Sequence, residues 1–246
     1  MTDFTHLHVH TEYSLLDGLS KIPKLVSQAK IMGMKHLAIT DHGSLYGAIK
    51  FYEACKAEGI NPIIGCEMYI APRSYTEKEI EKDKEYSHLT VLAKNYEGYQ
   101  NLMRLVTMSY LEGFYYRPRV DKDLLAKYSG GLMALSGCTS SEISKLFIAG
   151  DEKGAKAKIL QYQQIFGKDD FYLEIQRHQF GEFAKAHQEG SEIYNDLSRM
   201  HKSEEAILKG AQKFSKELNI PIVATNDLHY IHSDDAQAQD AIVCIQ

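Results

Sequence analysis

His8-Val9-His10, near the start of the chain, sets two imidazoles one residue apart. In an extended strand alternate side chains share a face, so both rings point the same way and form a ready chelate for a divalent metal. Asp17, in the loop that follows, is a third possible ligand. The alternate spacing recurs at Asp227-Leu228-His229, and further ligand-type residues stand at His42, Glu67, His88 and Cys138. Taken singly, each histidine is better explained by packing or by solvent. The weight lies in their placement, because all except His88 fall at or just past the C-terminal end of an expected strand.

Hydrophobic periodicity supplies those strands and the helices between them. After the opening strand, a helical face runs over Ile22–Met32 and stops at Gly33. Strands are expected at 36–40, 61–67, 88–93, 131–136, 171–176 and 220–225. Helices are expected at about 45–58, 96–111, 121–127, 140–149 and 152–166, then over 182–218 with a break near 200, and from 233 to the end. Residues 73–87 are dense in charge and read as an exposed loop or a short solvated helix, and Gly113–Arg119 reads as an aromatic, basic loop. Strand–helix alternation over this many units predicts an α/β fold with a parallel sheet closed into a barrel. A doubly wound open sheet is the alternative, but no glycine-rich phosphate loop follows the first strand. In such a barrel the strand ends gather on one rim, which brings residues 8 to 229 together.

The 246 residues suit one domain, and 44% hydrophobic with 25% charged residues is ordinary for a globular chain with a sizeable core. No apolar run reaches membrane-spanning length and no signal pattern opens the chain, so a cytoplasmic protein without a membrane partner is expected. Four scattered cysteines, with no CxxC pair, fit a reducing compartment. The net charge of −5 argues against a sequence-independent duplex binder while permitting a site that grips one phosphate or a strand end. Nine N, O and S ligands exceed what one ion takes, which suggests two or three metals with bridging carboxylates. Asp17, Glu67, Asp227 and a thiolate Cys138 carry about −4, a burden that a buried site sheds only with cations. Three divalent ions would leave about +2, suited to a phosphate, and would lower the pKa of bound water enough to supply hydroxide near neutral pH.

The motifs His8-x-His10-Thr11 with Ser14-x-x-Asp17-Gly18, Ile39-Thr40-Asp41-His42-Gly43, Gly65-x-Glu67, His88-Leu89, Ser136-Gly137-Cys138 and Asn226-Asp227-x-His229 resemble the PHP (polymerase and histidinol phosphatase) domain over the whole chain. Tyr13–Gly18, Gly113–Arg119 and Leu173-Glu174-Ile175-Gln176-Arg177-His178 resemble more narrowly the N-terminal PHP domains of bacterial DNA polymerase III alpha subunits. The resemblance implies a distorted (β/α)7 barrel with a trinuclear centre held by His8, His10, Asp17, His42, Glu67, His88, Cys138, Asp227 and His229. In active members it implies a metal-dependent 3′–5′ exonuclease that proofreads. Many alpha subunits have lost ligands and keep the domain as a scaffold, whereas every position is filled here. Palm and fingers do not follow, so the chain reads as one PHP domain excised from a longer DNA-directed DNA polymerase.

The partners implied are a single-stranded or frayed DNA 3′ end, the remaining polymerase domains and other replisome subunits. Zinc, manganese and iron all suit such a donor set. Arg177 and His178, past a strand end, are candidate phosphate contacts. Arg117 and Arg119, beside Tyr115 and Tyr116, could clamp a single strand by stacking and ion pairing, or contact the missing polymerase domains. Two rival functions stay open: a metal-stabilised scaffold that docks a separate proofreading subunit, and a phosphomonoesterase of the histidinol-phosphatase branch.

Overall fold

Strand β1 (His36–Ile39) and the long β2 (Asn61–Ile70) set the frame of the computed structural model, which describes residues 4–245. The chain divides into two compact units, one of residues 1–134 with 227–246 and one of residues 135–226. In the first unit α1 (Ile22–Ile31) precedes β1, and α2 (Ala48–Glu58) links β1 to β2. There follow α3 (Ile80–Asp83), β3 (Ser87–Ala93), α4 (Tyr96–Leu111), the short strands β4 (Phe114–Tyr115) and β5 (Arg117–Val120), α5 (Lys122–Lys127) and β6 (Leu132–Leu135). The second unit carries α6 (Glu142–Ala149), α7 (Glu152–Phe166), β7 (Phe171–Gln176), α8 (Phe180–Ala184), α9 (Glu192–Leu218) and β8 (Ile222–Thr225), after which α10 (Ala236–Val243) returns to the first.

The expected α/β class is the one observed, with strands and helices alternating along the chain. Strand direction differs from expectation. β2 pairs in parallel with β1 over residues 61–64 and with β5 at Tyr69 and Ile70, but β3 runs antiparallel to it from Gly65↔Leu92 to Ile70↔Ser87. β4 and β5 form an antiparallel hairpin where an irregular loop was expected. Helix α9 crosses position 200 without a break. The interruption falls earlier, at Gly190 (φ 85°) and Ser191, whose side chain accepts from the Tyr194 N–H and caps the helix.

The opening stretch is extended and held on both sides, although it is too sparsely bridged to count as a regular strand. Ala38 and Thr40 donate to the His6 and Val9 carbonyls, while the Leu228 N–H donates to His8 and the His10 N–H to Leu228. Val9 is fully buried in a cluster with Ile22, Leu25, Leu37, Ile39 and Phe51. Packing of Val9 on one side thus turns His8 and His10 together to the other.

Candidate metal centre

The first unit brings eight of the nine expected ligands together. β1 continues irregularly past Ile39 in unchanged register, so His42 bridges Glu67. Glu67 lies inside β2, not at its end, and pairs with Thr90, while His88 stands opposite Tyr69. Because β3 is antiparallel, its first residues lie beside the last residues of β2, which puts His88 at the proper end despite its beginning a strand. Asp17 arrives on a loop closed by Gly18, where a Cβ would stand 2.1 Å from the Thr11 carbonyl oxygen, so only glycine fits. Asp227 adopts φ 48°, a left-handed turn tolerated by Asp, and its carbonyl accepts from His229 Nδ1.

The side chains converge on three carboxylates. His8 Nε2 and His10 Nε2 lie 3.4 and 3.3 Å from Glu67, and both lie 3.2 Å from Asp227 Oδ1. His42 Nδ1 and His88 Nδ1 approach Glu67 at 2.8 and 3.0 Å. Asp17 Oδ2 takes His42 Nε2 at 2.7 Å and His229 Nε2 at 3.1 Å. Three groups of mutually close ligand atoms result: His10-Asp17-His42-His229, His8-His10-Asp227 and His42-Glu67-His88. A fourth acidic group, Glu77-Glu79-Asp83, already holds the Arg73 guanidinium.

Two features fit this cluster to cations. His10 Nε2 and Asp227 Oδ1 are buried and 3.2 Å apart, yet neither makes a hydrogen bond of acceptable geometry. The tautomer of His10 is also fixed from behind. Ser14 Oγ donates to the Asp41 carboxylate, so it must accept from His10 Nδ1 at 2.9 Å, which leaves the Nε2 lone pair aimed at the cluster.

Electrostatics point the same way. Burial disfavours the charged form of Glu67, but His8, His88 and His42 outweigh it and hold the carboxyl well below its usual range. Asp17 and Asp227 are likewise lowered against their burial, by His229 with His42 and by His8 with His10. Burial opposes protonation of His42, yet Glu67 and Asp17 push it up to about 10. Protons here offset a negative charge that cations would neutralise better.

The PHP domain family matches residues 6–178. The chain belongs to that family. It is 47% identical over 243 residues to the DNA polymerase III subunit alpha of Borreliella burgdorferi and 41% identical over 243 residues to that of Treponema pallidum. Each match takes in 98% of this chain and 19% of the relative, so the chain spans about a fifth of the length of the curated relatives it matches. A protein of Bifidobacterium adolescentis assigned to the metal-dependent phosphoesterases shares its fold at a TM-score of 0.50 and 12% identity, covering 98% of this chain and 97% of the other. An amidohydrolase of Chromobacterium violaceum, solved with bound sulfate and no metal, does so at 0.52 and 13%, with 97% and 96% covered.

The remaining candidates are divided between the two units. Cys138 lies in the second unit, half-buried just ahead of α6. There the buried Glu174 carboxylate accepts from the Gly137 N–H and from Thr225 Oγ1, pinning the turn before Cys138. Also in the second unit, Arg177 pairs with Glu205, and His178 makes two bonds to Glu204 through its N–H and Nδ1. Arg117 is exposed, 5.9 Å from the Tyr69 ring. Arg119 corrects the expectation of a strand clamp. It is fully buried, and its guanidinium donates to the carbonyls of Gly113, Asp83, Tyr75 and Glu77, a brace for residues 75–83 with no surface left for DNA.

Sequence reasoning passed over the groups behind the ligands. Asp41 accepts from Thr11 N, Thr11 Oγ1 and Ser14 Oγ at 2.6, 2.8 and 2.8 Å. Gln239 of α10 donates to the Asp17 carbonyl. Asp41 adjoins His42 in the chain, which was the one available signal, whereas Gln239 carries none.

Proposed function

We propose that this chain is a metal-dependent phosphodiesterase, a 3′–5′ exonuclease that removes nucleotides from a single-stranded or frayed DNA 3′ end. It acts as one PHP domain of a replicative polymerase alpha subunit, alongside the remaining polymerase domains and other replisome subunits in the cytoplasm. The observation that carries the reading is the convergence of five buried or half-buried imidazoles on Glu67, Asp17 and Asp227, with His10 Nε2 and Asp227 Oδ1 left without hydrogen bonds. Two or three ions of zinc, manganese or iron would be held by His8, His10, Asp17, His42, Glu67, His88, Asp227 and His229, with Cys138 as the ninth ligand. Bound there, such ions supply Lewis-acid activation of water and of the phosphate oxygens.

The chain's own residues do the rest. Ser14 and Asp41 keep His10 in one tautomer, and the Gly18 turn holds Asp17 between His42 and His229. Arg117 offers a cation for a phosphate, and in the second unit Arg177 and His178 are further candidates. Polymerase relatives that match from one end of the chain to the other favour a nucleic-acid substrate.

The test is incubation with 3′-labelled single-stranded DNA and manganese or zinc. Shortening from the 3′ end is expected, and it should vanish with EDTA, His10→Ala or Asp227→Asn. No shortening with any metal overturns the reading, as does shortening that survives those changes. Metal-raised thermal stability without cleavage would instead mark a scaffold, and faster turnover of a small phosphate monoester a phosphomonoesterase.

A further inference from the structure

In the first unit a cavity of about 310 Å3 adjoins the ligands, at the lower edge of the size of small-ligand sites. Asp17, His42 and His88 line it, and most of the remaining wall is aromatic. Tyr46 comes from the segment before α2, Tyr110 from the last turn of α4 and Phe114 from β4. Tyr110 faces Tyr46 and Phe114 at 6.3 Å each, and Tyr46 and Phe114 are 61% and 49% exposed. Rings gathered from three elements yet left in water are not part of a core.

Two more rings join this wall to the ligands. Tyr69 stacks on His42 at 5.7 Å, and Tyr86 lies parallel to His88 at 5.8 Å. Arg117 stands over Tyr69 and donates to the Tyr86 hydroxyl oxygen. Between β4 and β5, Tyr116 holds a left-handed φ of 60°, a conformation costly for an aromatic residue and typical of sites where function sets the backbone. Aromatic faces, one guanidinium and a site for cations together match a nucleotide: a flat base, a phosphate and the bond to be cut.

We propose that this cavity is a nucleobase subsite, in which Tyr46, Tyr110 and Phe114 hold the base of one unpaired nucleotide while Arg117 takes a phosphate beside the ligand cluster. The proposal rests on the phosphodiesterase reading and adds where the substrate's base goes. Stacking accepts any base, because every base has a π face. It also demands that the base leave its duplex, so a frayed or mismatched end is taken and a paired end refused.

Binding in EDTA separates this proposal from the catalytic one, because it requires no hydrolysis. Fluorescence anisotropy is measured with a 5′-labelled single-stranded trinucleotide, the same oligonucleotide lacking its 3′-terminal base, and a hairpin with a fully paired end. The intact single strand is expected to bind best. Tyr110→Ala and Tyr46→Ala should each weaken it roughly 5- to 150-fold, the range of a lost stacking partner. Tyr110→Phe should stay within about twofold, since the ring is kept. The abasic strand should bind the wild type as weakly as the intact strand binds Tyr110→Ala, and Tyr110→Ala should weaken the abasic strand no further. Thermal melts confirm that each variant folds. Equal binding of the intact and abasic strands by the wild type overturns the proposal, as does an equal loss for both strands in Tyr110→Ala, which would set the ring against the sugar-phosphate backbone and not the base. Base-dependent binding without cleavage in any metal would leave the subsite standing and sink the exonuclease.

Discussion

Replacing Asp41 tests whether the centre is oriented from behind. Asp41 is fully buried, and its Oδ1 accepts from the Thr11 N–H and Ser14 Oγ while Oδ2 accepts from Thr11 Oγ1. Ser14 in turn accepts from His10 Nδ1 and from the His42 N–H, so one carboxylate governs the hydroxyl that orients two ligands. Asp41→Ala strands three buried donors at about 1–3 kcal/mol each, roughly 3–9 kcal/mol before water enters. It also frees Ser14 Oγ to turn its proton toward His10 Nδ1, which would move the ring proton to Nε2 and cap the lone pair meant for the metal. Loss of such a supporting group costs about 10- to 100-fold in metal affinity. Asp41→Asn should be milder. Its carbonyl can keep both bonds at Oδ1 while its amide donates to Thr11 Oγ1, leaving one hydroxyl proton to find another acceptor, about 1–2 kcal/mol. Competition against a chromogenic chelator reads the affinity, and a thermal melt reads stability separately. If Asp41→Ala binds zinc within twofold of wild type while its Tm falls, Asp41 only stabilises the fold and the proposed relay is wrong.

Stripping divalent ions with EDTA should lower Tm by about 5–10 °C by calorimetry, since saturation at 100 times Kd contributes about 2.7 kcal/mol and each kcal/mol moves a chain of this size by roughly 2–4 °C. An unchanged Tm on adding zinc or manganese would refute it. At pH 8 a thiol reagent should modify Cys244 and Cys138 well before Cys55, which burial pushes up to about 12, and Cys66, raised by burial with Asp41 and Glu67 nearby. Protection of Cys138 by zinc would support it as the ninth ligand, and equal reactivity with and without zinc would remove it from the set. Arg119→Met should destabilise the fold by about 3–5 kcal/mol in denaturant titration, because four carbonyls lose their donors, whereas Arg117→Ala should stay within about 1 kcal/mol. Equal losses would refute the distinction between brace and exposed cation.

The clustering of eight candidate ligands was legible because alternation and strand ends are features of order along the chain. His8 and His10 share a face in any extended segment, and Asp227 and His229 repeat the pattern. Strand direction was not legible, because hydrophobic periodicity carries no sign. His88 therefore looked misplaced until the antiparallel pairing of β3 with β2 turned it round. Arg117 and Arg119 are the same residue type in one short strand, and only the loop at 75–83 decides that one is buried and the other exposed. Ser14 and Asp41 are 27 residues apart, and each looks like ordinary turn chemistry until the bond between them is seen. The helix start at Ser191 could have been found, since a glycine followed by a capping serine is a boundary signal, but the amphipathic pattern on both sides hid it.

The placement of Glu67 explains why so many histidines are needed. A carboxylate in the middle of a strand, fully buried, would ordinarily be among the costliest groups in the protein. Here the parallel neighbour brings His42 against it, the antiparallel neighbour brings His88, and the extended N-terminal segment brings His8 and His10, all between 2.8 and 3.4 Å. Four imidazoles could neutralise one carboxylate by sharing protons, but Asp17 and Asp227 draw on the same rings. Three carboxylates and five rings are more donor atoms than protons alone can organise, since each neutral imidazole has one N–H to give and two of these rings spend it outward, His10 on Ser14 and His229 on the Asp227 carbonyl. The lone pairs left facing inward repel one another unless something positive lies among them. The fold thus gathers these polar groups into one candidate cation site, with exposed rings and a guanidinium lining the cavity beside it.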